Sequence, residues 1–97
     1  PEHGLMVFEL KGGNMAKNGS YEQCKKWFAE SQREAKNAGA NFGFLVTQRA
    51  GVGYPRAGQW WAYATLGDLL TLRSGVRTSD STFVRLTLQD LVALFNG

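Results

Sequence analysis

A chain of 97 residues, 43% hydrophobic and 20% charged, fits one small globular domain and favours a folded chain over a disordered one. A single cysteine, Cys24, excludes an internal disulfide, and with only one histidine, His3, it argues against a structural zinc site. The net charge of +3 is unevenly spread: residues 11–56 hold eight lysines and arginines against three glutamates, a balance of +5, and the remainder sums to −2.

Residues 5–11 read as a strand bounded by Gly4 and by Gly12-Gly13. Alternation puts Leu5, Val7, Glu9 and Lys11 on one side and Met6, Phe8 and Leu10 on the other. Residues 12–19 read as a loop. Ser20 is then an N-cap with Gln23 as its capping-box partner, opening a helix over 21–38 that stops at Gly39. Tyr21, Cys24, Phe28, Ser31, Ala35 and Ala38 form its apolar stripe, widened by Trp27, which places Cys24 in the interior as an inert thiol. Residues 42–49 read as a central strand, apolar on both faces at its start. Strand, long helix and strand in this order predict a right-handed crossover with parallel pairing.

Residues 50–58 form a glycine-rich loop that lacks the Gly-Lys-Ser/Thr of a phosphate-binding loop. A third strand over 59–65 carries Trp60 and Trp61 on opposite faces, so one of them belongs to the core. Thr65 and Asp68 cap a short helix through Arg73, ended by Gly75. A strand over 83–86 follows, and Thr87 with Asp90 caps a last helix over 88–95. The fold class is therefore α/β (α+β), a mixed central sheet flanked by helices. The segments starting at Thr65 and Thr87 echo each other as two similar strand-to-helix solutions. The first strand is expected to lie antiparallel to a very short or absent N-terminal partner.

The chemistry concentrates in Glu9-Leu10-Lys11. Residues two apart on a strand project to one side, so a carboxylate able to ligate a hard cation lies beside an ammonium able to orient a water or steady a phosphate. An ordinary ion pair at a strand end is the plainer alternative. No Ser/His/Asp triad is available, because the one histidine is terminal.

The order of strand with Glu-Leu-Lys, basic helix, central strand with Gln48-Arg49, Trp-rich strand and Leu-Gly-Asp-Leu-Leu helix resembles the C-terminal two thirds of a PD-(D/E)xK nuclease domain. The similarity is to the small phage and archaeal Holliday-junction-resolvase-like kind, over residues 4–73. It implies a restriction-endonuclease-like core and Mg²⁺-dependent hydrolysis of DNA phosphodiesters, with Mn²⁺ as substitute. Branched junctions are a candidate substrate and DNA recombination the setting.

In that resemblance Glu9 is the acidic metal ligand, the Leu10 carbonyl completes the shell and Lys11 is the catalytic lysine. Gln32 or Gln48 takes an auxiliary polar role. The family's preceding aspartate has no counterpart, since the first Asp is Asp68. Either Glu2, after Pro1, substitutes as catalytic residue and metal ligand, or the aspartate belongs to a segment upstream, which a chain opening on Pro1 rather than Met leaves room for.

Lys17, Lys25, Lys26, Arg33, Arg49, Tyr54 and Arg56 are the candidate DNA contacts, with Trp60 beside Tyr54 and Arg56 as a base-stacking contact. The alternatives are a solvated helix face and turn chemistry at Tyr54-Pro55. DNA and a two-fold homodimer are the expected partners, no membrane is expected, and the expected location is cytoplasmic, in the host cell if the protein is phage-encoded. The rival reading is a basic DNA-binding or assembly module of the same fold without catalysis. A third is a small protein-interaction module that uses exposed Trp and Tyr.

Overall fold

A computed structural model describes residues 4–96, the side chain of Met15 aside. The elements run β1 (Met6–Lys11), α1 (Gly13–Lys17), α2 (Tyr21–Asn37), β2 (Phe42–Thr47), a 3-10 turn (Tyr54–Gln59), β3 (Trp61–Thr65), α3 (Leu66–Ser74), β4 (Phe83–Thr87) and α4 (Leu88–Asn96). They form one four-stranded mixed sheet in the order β1-β2-β3-β4. β1 and β2 are parallel, as the strand–helix–strand order requires, and β3 and β4 are antiparallel to their neighbours.

Period-two alternation divides the core between the two sheet faces. Phe42, Phe44 and Val46 of β2 join Ala62 and Ala64 of β3 beneath Leu69 and Leu72 of α3 and Leu91 of α4. On the opposite face Leu45 and Tyr63 meet Cys24, Trp27 and Phe28 of α2. A helix on one face and two on the other explain why β2 is buried at every position and reads as a continuous apolar run. Cys24 is a buried free thiol on the α2 stripe.

The helix starts follow from their caps. The Ser20 hydroxyl accepts from the Gln23 N–H at 3.1 Å, Thr65 from the Asp68 N–H at 3.1 Å and Thr87 from the Asp90 N–H at 3.3 Å. α3 stops on Gly75, whose φ of 77° is the left-handed conformation that glycine adopts without strain.

Several expectations need correction. Residues 12–19 are not all loop, because 13–17 close a helical turn. The loop after β2 contains the 3-10 turn, opened by Pro55 at its start. β2 ends at Thr47 rather than Arg49, because Gln48 turns its amide to the Gly13 N–H (3.0 Å) and the Tyr54 hydroxyl (3.1 Å). β3 begins at Trp61, leaving Trp60 as the core tryptophan, with its indole N–H donating to the Val52 carbonyl at 2.9 Å. Among the described residues β1 has β2 as its one neighbour, and Glu2 and His3 lie outside those residues.

Candidate functional site and cationic cleft

Glu9 and Lys11 point to the sheet face that α2 covers. Glu9 lies opposite Leu45 and Lys11 opposite Thr47 in the parallel register. The Lys11 Nζ is 3.3 Å from Glu9 Oε1, with the side chains 34% and 24% exposed. The ammonium also sits 5.9 Å from the Trp27 ring centroid. A half-exposed pair of this kind contributes less than about 1 kcal/mol by itself. The second carboxylate oxygen, Glu9 Oε2, is buried and has no hydrogen-bond partner. An unsatisfied buried acceptor costs about 1–3 kcal/mol, more when charged, so the fold holds this oxygen at a cost.

The Lys11 carbonyl accepts from the Gln48 N–H at 3.0 Å, which directs it toward β2. Alternation therefore turns the Leu10 carbonyl to the open edge of β1. The remaining expected residues sit in different places. Lys25, Lys26 and Arg33 lie on the exposed side of α2, with the Lys25 Nζ 5.8 Å from the Tyr21 ring. Gln32 donates its amide to the Gly43 carbonyl and so ties α2 to β2. Tyr54 is exposed and edge-on to Trp60 at 5.1 Å, and Arg56 donates to the Gly51 carbonyl at 2.8 Å. Burial removes Trp60 from the expected stacking group.

Lys17 and Arg49 line a cleft of about 310 Å³ together with Arg85, which the sequence reading did not select. Thr47, the register partner of Lys11, also lines it, which brings the cleft to the neighbouring strand, while Glu9 and Lys11 themselves are not among its lining residues. The guanidinium carbons of Arg49 and Arg85 each lie 4.1 Å from the Trp61 ring centroid, and Arg49 donates to the Gln59 carbonyl at 3.2 Å. The ion pairs among the described residues are Glu9–Lys11 and Asp68–Arg77, which leaves these three cations without a carboxylate partner. Among the described residues no acidic side chain lines the cleft.

At the cleft's wall, burial raises the pKa of the Tyr63 phenol, and contact with Cys24 adds to the rise against the opposing pull of Thr47 and Arg85. Its neutral form therefore faces the cleft at neutral pH. The signal for Arg85 was the alternation of residues 83–86, which put it on the side of Phe83. The pairing of Arg85 with Tyr63 supplied the rest.

The chain matches no protein-family model, no curated protein and no solved structure. A Mg²⁺ ion, which the resemblance implies, keeps several waters and is commonly held by one or two carboxylates plus substrate phosphate rather than by an all-protein cage. The Glu9 carboxylate and the Leu10 carbonyl are hard oxygen donors of the type this mode uses, but Glu9 Oε2 is closed to solvent and points to the α2 face while the Leu10 carbonyl turns to the strand edge. Among the described residues no group of three His, Cys, Asp or Glu side chains could form a cage.

Proposed function

We propose that this domain is a Mg²⁺-dependent endonuclease domain of the PD-(D/E)xK kind, acting on DNA, with branched DNA as a candidate substrate and a second copy as partner. The observation that carries the proposal is the buried, unpartnered Glu9 oxygen two residues from the lysine, next to a cleft of uncompensated cations. Lys17, Arg49 and Arg85 attract the polyanion and fix its path. Lys11 donates toward the attacking water or a non-bridging phosphate oxygen, where negative charge grows in the transition state. Glu9 and the Leu10 carbonyl would hold the ion, which when bound lowers the pKa of a water and offsets phosphate charge. The distal carboxylate is assigned to Glu2 or to an upstream aspartate. Among the described residues no helix is long and apolar enough to cross a membrane.

One observation favours a second reading, a DNA-binding module without hydrolysis: among the described residues no group of three His, Cys, Asp or Glu side chains could hold a metal ion. Titration calorimetry with Mn²⁺ and cleavage of end-labelled linear and four-way DNA in Mg²⁺ separate the two. The nuclease reading expects metal heat and cleavage, both lost in Glu9→Gln, while DNA binding in EDTA persists. Lys11→Met should lower cleavage by about 10²–10⁴-fold. DNA binding with neither metal heat nor cleavage, in a chain that includes any upstream carboxylate, overturns the enzyme and leaves the binding module.

A further inference from the structure

The cationic cleft is one half of a larger recess. A second cavity of about 250 Å³, lined by Tyr21, Tyr63 and Phe83, shares Gly19, Cys24, Tyr63 and Arg85 with it. Each half is near or below the small end of ordinary ligand sites, roughly 300 Å³. Joined, they offer two chemistries side by side. One end holds Lys17, Arg49 and Arg85 with no acid among the described residues. The other is aromatic: Tyr63 and Phe83 stack at 5.3 Å and 7°, and Tyr21 meets Phe83 edge-on at 5.5 Å. Arg85 belongs to both.

We infer that this recess binds one unpaired nucleotide of a DNA strand, its phosphate among Lys17, Arg49 and Arg85 and its base against Tyr21 and Phe83. A cationic groove joined to an aromatic platform is how proteins hold unstacked nucleotides, because every base offers a π-face. A fully paired duplex keeps its bases stacked and can use only the cationic end. The recess therefore distinguishes DNA containing an unpaired nucleotide from perfect duplex. Tyr21 is the discriminating residue: it is 60% exposed at the first turn of α2, so it contributes little to the core and much to the recess wall. The inference rests on the reading that the domain engages DNA, and it does not require that DNA be cut.

The test is fluorescence anisotropy in EDTA, which removes cleavage from the measurement. A labelled duplex with a single-nucleotide bulge is compared with the same duplex fully paired. The wild type should bind the bulged DNA about tenfold more tightly. Tyr21→Ala should erase that ratio and leave paired-duplex affinity unchanged. Arg85→Gln should weaken both and reduce the steepness of the salt dependence by close to one phosphate contact. Equal affinity for bulged and paired DNA, or a ratio that survives Tyr21→Ala, overturns the inference. So does a phosphotyrosyl peptide that binds the recess more tightly than the bulged duplex. Loss of cleavage in Mg²⁺ with the bulge preference intact would instead refute the nuclease and keep the recess.

Discussion

Gly43→Ala probes how the helix over the Glu9–Lys11 face is seated. Gly43 lies in β2 directly beneath α2, and a methyl group there would stand 2.6 Å from the Ala35 Cβ and 3.1 Å from the Gln32 Nε2. Carbon atoms pack best at about 3.5–4.0 Å, so the helix must retreat by about 1 Å or the strand must sink. Such overpacking costs about 1–3 kcal/mol, offset by about 0.4–1 kcal/mol from the less flexible unfolded chain. The expected net loss is about 1–2 kcal/mol, and each kcal/mol lowers Tm by about 4–8 °C in a domain of this size. Urea denaturation followed by tryptophan fluorescence gives the free energy. Ala35→Gly removes the opposing methyl at the cost of helix propensity, about 1 kcal/mol. The double variant should recover part of the Gly43→Ala loss, giving a coupling of at least about 1 kcal/mol. Additive losses, or a Gly43→Ala protein as stable as wild type, would show that this contact does not set the helix–sheet distance.

Gly67→Ala should be costlier, about 3 kcal/mol, because its added methyl would meet backbone rather than a yielding side chain, at 2.5 Å from the Asp80 nitrogen and 2.7 Å from the Thr78 oxygen; a loss smaller than that of Gly43→Ala would refute the comparison. Burial raises the pKa of the Asp68 carboxyl above its ordinary 3.8, and the Arg77 guanidinium only partly opposes the rise. The folded state then holds the Asp68 proton more tightly than the unfolded state. The corresponding stability is full below the unfolded pKa and is lost as pH rises through the folded one. Measured against Asp68→Asn, which does not titrate, the wild type should lose relative stability from about pH 4 upward; a relative gain would mean that the Arg77 pair outweighs burial.

Local pattern carried most of the fold. The three Ser/Thr caps, the stop at Gly75 and the parallel pairing of the first two strands all follow from spacing and turn chemistry, and each is present. What stayed hidden depends on partners distant in sequence. The turn at 13–17 begins with glycine and asparagine, poor helix formers, and its end is braced by the Asn18 side-chain amide on the Asn14 carbonyl at 3.0 Å. Asp68 reads as a cap, yet its carboxylate pairs with Arg77 at 3.1 Å, which required the turn at 75–82 to fold back on α3. The cationic cleft draws on residues 17, 49 and 85, which the pairing of β1 with β2 and the register of β2, β3 and β4 bring together. Glu9 and Lys11 were legible because a strand's period of two is local; the burial of Glu9 Oε2 was not, because it depends on where α2 settles.

β1 is the element least explained by stability alone. It holds Phe8 and Leu10 46% and 53% exposed and turns Glu9 and Lys11 under a helix. A slip of one residue would exchange the faces, moving Phe8 and Leu10 to the α2 side and Glu9 and Lys11 to the side of Phe44 and Phe95. The slip is blocked at both ends. Near Gly4, the Asn41 side chain accepts from the Leu5 N–H at 3.0 Å and the Asn41 N–H donates to the Leu5 carbonyl at 2.8 Å. Beyond Lys11, Gln48 binds the Lys11 carbonyl through its backbone and the Gly13 N–H through its side chain, both at 3.0 Å. Phe8 keeps some apolar contact in this register, 5.2 Å from Phe44 and 6.1 Å from Phe95 between ring centroids. Two polar clamps thus fix the register alongside the packing of Met6 and Phe8 on the α3–α4 side, and that register presents one acid and one amine to the face under α2.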